Sequence, residues 1–152
     1  MKTAQALCIL VVSALVGFVA PSAFADDIDE LVEARQDNFK ILGKNAKSLR
    51  KAFGGGEPDW RAIGASVAKM QQANTKVLDF FPPESAETFI TTEAKPDIWD
   101  DFDDFTARQN TLTERLDAFA QAVARKDASA SAKAFRSVGK ACKNCHDKYK
   151  EE

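Results

Sequence analysis

Apolar side chains recur along this chain of 152 residues in alternating steps of three and four, with polar residues between them. That rhythm draws one stripe along an α-helix, whose turn takes 3.6 residues. The first stripe, Ile28, Val32, Arg35, Phe39, Leu42, Ala46, Leu49 and Phe53, predicts a helix from Asp26 to Phe53. Gly54-Gly55-Gly56 ends it, and Pro58 suits the first turn of the next helix. A second stripe, Trp60, Ile63, Val67, Met70, Asn74, Val77 and Phe81, predicts a helix lasting until Pro82-Pro83. After a polar connection from Pro82 to about Pro96, a third stripe, Ile98, Phe102, Phe105, Gln109, Leu112, Leu116, Phe119 and Val123, predicts one unbroken helix. The fourth helix opens near Asp127, a capping residue, and carries Phe135, Val138, Cys142, Cys145 and Tyr149, with Gly139 leaving room for another group to approach. No stretch alternates with period two. The chain is therefore expected to be all-α, an antiparallel four-helix bundle of the kind that houses cofactors between facing helices.

Residues 1–25 contain one Lys, an apolar run from Ala6 to Ala20, and Ala23-Phe24-Ala25 before an acidic start. This pattern reads as a secretory signal cleaved after Ala25, leaving a single exported domain of residues 26–152. Cys8 falls inside the apolar run and would leave with it. No later segment is apolar enough to anchor the chain in a membrane. The mature part keeps 20 basic and 23 acidic residues, a formal charge of −3, which argues against a nucleic-acid partner.

The densest chemistry is Cys142-Lys143-Asn144-Cys145-His146, the C-x-x-C-H signature of covalent haem attachment. Two thiols at this spacing can add to the two vinyl groups of one porphyrin, while the next side chain, the only histidine present, reaches the iron. A redox dithiol needs no histidine, and a closed zinc site needs about four ligands where only three are at hand. One haem c, bound through Cys142 and Cys145 with His146 as metal ligand, is the expectation.

Other interior polar residues are read against that cofactor. Arg35 interrupts an apolar seam and needs an anion, either a haem propionate or an Asp or Glu at the end of the bundle. Phe39, one turn later, would either cover the far face of the iron or pack in the core. Met70 on its seam reads as a gap filler before it reads as a sixth ligand. Lys150 lies one turn beyond His146, where it would influence the proximal side or remain solvated. Asn74 and Gln109 would bond to each other or to backbone.

The stretches Val138 to Lys150, Glu33 to Lys40 and Ala94 to Trp99 together resemble the cytochromes c′, the class II c-type cytochromes of bacterial periplasms. The resemblance implies a left-handed bundle, often a homodimer through the first two helices, with five-coordinate, largely high-spin iron that binds NO and CO. By position it assigns Cys142 and Cys145 to the thioethers, His146 to the axial ligand, and Arg35 and Gln36 to the propionates. It also makes Thr92 a haem contact, sets Phe39 over the distal face, and puts Lys150 where a basic residue flanks the proximal histidine. A low-spin branch carries a ligating methionine in the first helix, and none stands there in this chain.

The implied function is NO sequestration or tolerance, with a soluble electron carrier meeting a periplasmic redox partner as the alternative. An enzymatic role such as a peroxidase lacks a distal histidine to move protons. Apolar residues such as Ile41 and Val77 on the first two helices would suit a dimer face or belong to the core.

Overall fold

The computed structural model describes residues 22–151; residues 1–21, with most of the expected export signal, lie outside them. Five α-helices follow one another: α1 (Ser22–Ala52), α2 (Trp60–Asn74), the single turn α3 (Asp97–Asp100), α4 (Phe102–Ala124) and α5 (Ala128–Tyr149). The four long helices pack in sequence, α1 on α2, α2 on α4 and α4 on α5. Side-chain bonds give their directions. Asn74 meets Thr113 while Gln71 meets Asp117, and Arg108 meets Asn144 while Tyr149 meets Asp104. Helices α2 and α4, and α4 and α5, therefore run antiparallel, and the fold is the expected all-α four-helix bundle.

Two apolar clusters divide the core. One joins Leu49, Ile63, Val67, Met70, Leu116, Phe119, Val123 and Val138, at the end of the bundle where α5 begins. The other joins Val77, Phe81, Ile98, Phe105 and Tyr149, at the end where α5 finishes. Between the stripes, polar seam residues satisfy one another. Gln109 donates to the backbone carbonyl and to Oδ1 of Asn74 at 2.8 and 2.9 Å, and Asn74 donates to Thr113 Oγ1 at 2.8 Å. Such closure is what lets amides sit in a core at little cost.

Several boundaries differ from those the stripes predict. Helix α1 begins at Ser22, not Asp26. It ends where the glycines require, with Gly55 and Gly56 at φ +150° and +83°. Pro58 stands outside α2, whose cap is Asp59, accepting from the amides of Arg61 and Ala62 at 3.1 and 3.0 Å.

Helix α2 stops at Asn74 instead of running to Phe81. Thr75 turns its hydroxyl onto Gln72 O at 2.9 Å, and the amides of Lys76 and Val77 then bond three residues back, at 3.2 Å each. The chain tightens into a 3₁₀ turn at Leu78–Phe80. Steps of three and four fit either winding, so the stripe persists through the change. Val77 is consequently buried at 2% exposure and cannot serve the dimer face proposed for it, whereas Ile41 is 44% exposed.

The third stripe is broken as well. Asp101 (φ −135°, ψ 58°) separates α3 from α4 and caps α4, accepting from Asp104 N at 3.3 Å. Ile98 joins the core, and Phe102, expected in the seam, is exposed. Asp127 caps α5 as expected, accepting from Ala130 N at 2.8 Å.

Candidate functional site

The C-x-x-C-H residues occupy the last two turns of α5, where helical spacing sets Cys142 and Cys145 three positions apart on one face. Both thiols are free and half-buried. Cys142 packs against the first core cluster and Cys145 against the second, so the pair spans the junction of the two. Burial raises both thiols, Cys145 to about 11 against the smaller opposing pull of Arg108. A redox dithiol depends on a thiol lowered toward neutrality, which is the opposite condition. No group of three or more His, Cys, Asp or Glu side chains converges as a metal-binding set among the described residues.

His146 is exposed by area and borders a surface cavity of about 550 Å³ with Lys95, Asp147 and Lys150. The surrounding chain still desolvates its ring, and that effect, then the Lys150 cation, holds the imidazole below its ordinary value. The ring is thus neutral near pH 7, the form that ligates a metal. Lys150 is not simply solvated, since its Nζ meets Glu93 Oε2 at 2.9 Å.

Across the bundle, α1 presents Arg35 at 2% exposure. Its Nη2 donates to Thr92 Oγ1 at 3.1 Å and its Nη1 to Phe80 O at 3.5 Å, and its guanidinium lies 4.7 Å from the Phe81 ring centroid. No carboxylate pairs with it among the described residues, so the ordinary ion pair weighed against a cofactor anion is not formed. Burial lowers its pKa, though a guanidinium stays charged at any ordinary pH. Gln36 donates to Thr91 O at 2.8 Å, gripping the same loop. Phe39 packs edge-on to Phe81, centroids 6.3 Å apart, and joins the cluster that Cys145 borders.

The loop reaches α5 as well. Ala94 and Lys150 form an isolated antiparallel bridge, with Lys95 N on Tyr149 O at 3.0 Å and Glu151 N on Glu93 O at 2.7 Å. Residues 91–95 thereby connect the Arg35 end of α1 to the His146 end of α5. The fold thus collects Arg35, Gln36 and Thr92 in one place and Phe39 and Cys145 in one cluster, while Met70 sits in the other cluster.

One group beside the motif has no stripe to announce it. Asp104 Oδ2 accepts from Arg108 Nε, Tyr149 Oη and Lys148 Nζ at 2.6, 2.7 and 3.0 Å. Arg108 also donates to Asn144 O, inside the motif, at 3.0 Å. Those donors, Arg108 foremost, hold the Asp104 carboxyl well below the usual carboxylate range. Only the i,i+4 spacing of Asp104 and Arg108 was visible beforehand.

The donor set fits a haem: two thiols on one helical face, one imidazole, an apolar wall including Phe39, and a buried cation without a counter-ion among the described residues. Comparison with known proteins agrees. The profile of the Cytochrome C′ family matches residues 30–150. Cytochrome c′ of Pararhodospirillum photometricum is 30% identical over 123 residues, 79% of this chain and 95% of that protein. Cytochrome c-556 of Agrobacterium tumefaciens is 31% identical over 120 residues, 78% of this chain and 95% of that protein. The crystal structure of cytochrome c′ from Thermochromatium tepidum superposes with a TM-score of 0.77 at 25% identity, covering 82% of this chain and 97% of that one. With a bundle of matching topology, a haem-attachment motif on its last helix and a family profile spanning nearly all the described residues, this chain belongs to the cytochrome c′ family, whose members carry haem c.

Proposed function

We propose that this protein is a periplasmic cytochrome carrying one haem, attached through Cys142 and Cys145 and ligated by His146, which binds NO and CO and serves to sequester NO. The observation that carries this reading is Arg35, buried at 2% exposure with no carboxylate partner among the described residues. A charge held in that way needs a counter-ion, and propionates match a guanidinium's paired donors. Gln36 and Thr92 join Arg35 at that edge. Phe39 shields the distal side, and Lys150 adds positive charge on the proximal side. The absence of a sixth protein ligand is supported by α1, which has no methionine, and by Met70, which is 1% exposed in the other core cluster. The haem supplies the redox-active, gas-binding iron; the chain supplies attachment, one axial nitrogen and restricted access.

Export with cleavage after Ala25, leaving residues 26–152 as the working domain, belongs to this reading, as does a homodimer for which Ile41 on α1 offers exposed apolar surface. Among the described residues, no helix is long and apolar enough to cross a membrane. The test is a mass and an optical spectrum of the periplasmic protein. A mature chain one haem heavier than its amino acids, with a ferrous spectrum that changes on adding NO, is expected. A bare polypeptide, or a spectrum indifferent to NO, defeats the reading.

Electron carriage is the second reading, favoured by one observation. Asp97, Asp100 and Asp103 are exposed and unpaired among the described residues, on the segment that packs against the end of α5. Such a face would steer a basic redox partner. Electron exchange that stays negligible at every ionic strength counts against it.

A further inference from the structure

The far end of the bundle holds a cavity whose lining includes none of Cys142, Cys145 and His146. Its volume is about 430 Å³, within the range of small-molecule pockets, and it opens between the end of α1 and the first half of α5. Helical spacing explains its make-up. Ala132, Phe135, Arg136 and Gly139 recur along one face of α5, and Arg50 in the last turn of α1 stands three positions before Phe53, the residue that follows the helix. Gly139 is seven positions before His146, roughly 10 Å along the helix axis, and Phe135 lies a further turn away.

Three features of this cavity point the same way. Its floor is preformed, because the rings of Phe53 and Phe135 lie 5.9 Å apart and both pack on Phe119, at 6.0 and 5.6 Å. Phe119 itself is fully buried. Its rim is cationic, because Arg50 and Arg136 are exposed and neither makes an ion pair among the described residues, in a chain whose formal charge is negative. Its space is kept open, because a Cβ built on Gly139 meets nothing within 4 Å. A glycine in mid-helix weakens that helix relative to alanine, and here no neighbouring group of the chain takes up the room it leaves.

We propose that this cavity binds a small carboxylate with an aromatic or short aliphatic body, its apolar part on Phe53 and Phe135 and its charge between Arg50 and Arg136. A guanidinium pair suits a carboxylate by forked hydrogen bonding, and an aromatic floor suits a flat apolar body.

The test uses the haem-loaded protein and 2-naphthoate, followed by isothermal titration calorimetry. Saturable binding at one site is expected, with affinity at least tenfold weaker for the neutral 2-naphthalenemethanol. Arg50→Gln combined with Arg136→Gln should weaken naphthoate at least tenfold and leave the haem spectrum unchanged. Gly139→Leu should abolish binding without lowering the unfolding temperature, since leucine fills the space and favours the helix. Should Gly139→Leu fail to fold, the double arginine variant still decides. No saturable binding by the native protein, equal affinity for the alcohol, or an unaltered affinity in the double arginine variant overturns the proposal.

Discussion

Arg35 Nη2 stands 3.1 Å from Thr92 Oγ1, joining two side chains 57 positions apart in the sequence. The bond gives a buried cation a neutral partner, and the guanidinium also faces the rings of Phe81 and Trp99 at 4.7 and 5.8 Å. Neutral hydroxyls and ring faces soften the cost of burying a charge without cancelling it.

Arg35→Met tests that relationship. In the haem-loaded protein it should lower unfolding stability by about 1.5–3 kcal/mol, the usual worth of hydrogen bonds to a charged group. In the chain without haem, the loss should be smaller or reversed, because an unpaired buried charge is then removed. Denaturant melts of the two forms check this, and equal losses in both would mean that Arg35 serves the fold alone.

Phe39→Ala should open the distal side. The ring is half-buried, so the variant should lose less than the ~3–5 kcal/mol of a fully buried phenylalanine. Carbon monoxide should bind the ferrous form at least about tenfold faster, equivalent to lowering a barrier by ~1.4 kcal/mol. Flash photolysis measures that rate, and an unchanged rate would return Phe39 to core packing.

Met70→Leu should change little. The residue is 1% exposed among aliphatic and aromatic neighbours, and a swap of similar volume there usually costs less than ~1.5 kcal/mol. Ferric and ferrous absorption spectra should match those of the native protein. A shift in either would identify Met70 as an iron ligand.

Asp104 should make stability depend on acid. Its hydrogen bonds to Arg108, Tyr149 and Lys148 depress its native pKa, so the native state binds the proton less readily than the unfolded state does. The contribution is complete above the unfolded carboxylate value, near about pH 4, and is lost as the pH falls through the lower native value. Asp104→Asn should therefore melt below the native protein at neutral pH, with the gap closing as the pH drops under about 4. Circular dichroism across that interval decides the matter, and a constant gap would sever the network from stability.

Much of this was legible without coordinates, for a local reason. Helical stripes, the glycine stop after Phe53 and the cap at Asp127 depend on neighbours within one or two turns, and the thiol pair with its histidine lies inside five consecutive residues. The burial of Arg35 followed from its place on a stripe. What the stripes could not reveal are features invisible to their phase. Ile98 and Phe102 are four apart, a spacing that survives the break at Asp101, and Val77 keeps its step although α2 has already closed. Asn38 belongs to no apolar series, yet it is buried at 6% and donates to Ala73 O at 3.0 Å.

By itself, then, the order of residues determined four amphipathic helices, the C-x-x-C-H motif on the last one and a cation on the apolar stripe of the first. Only the tertiary structure decided that Thr92 and Gln36 meet that cation's surroundings, that residues 93–95 bridge onto the end of α5, and that Asp104 gathers three donors beside the motif. The physical reason is range. Backbone winding and stripe formation are settled by contacts a few residues apart, whereas loops and charged networks take their partners from wherever packing of the helices happens to bring polar groups together.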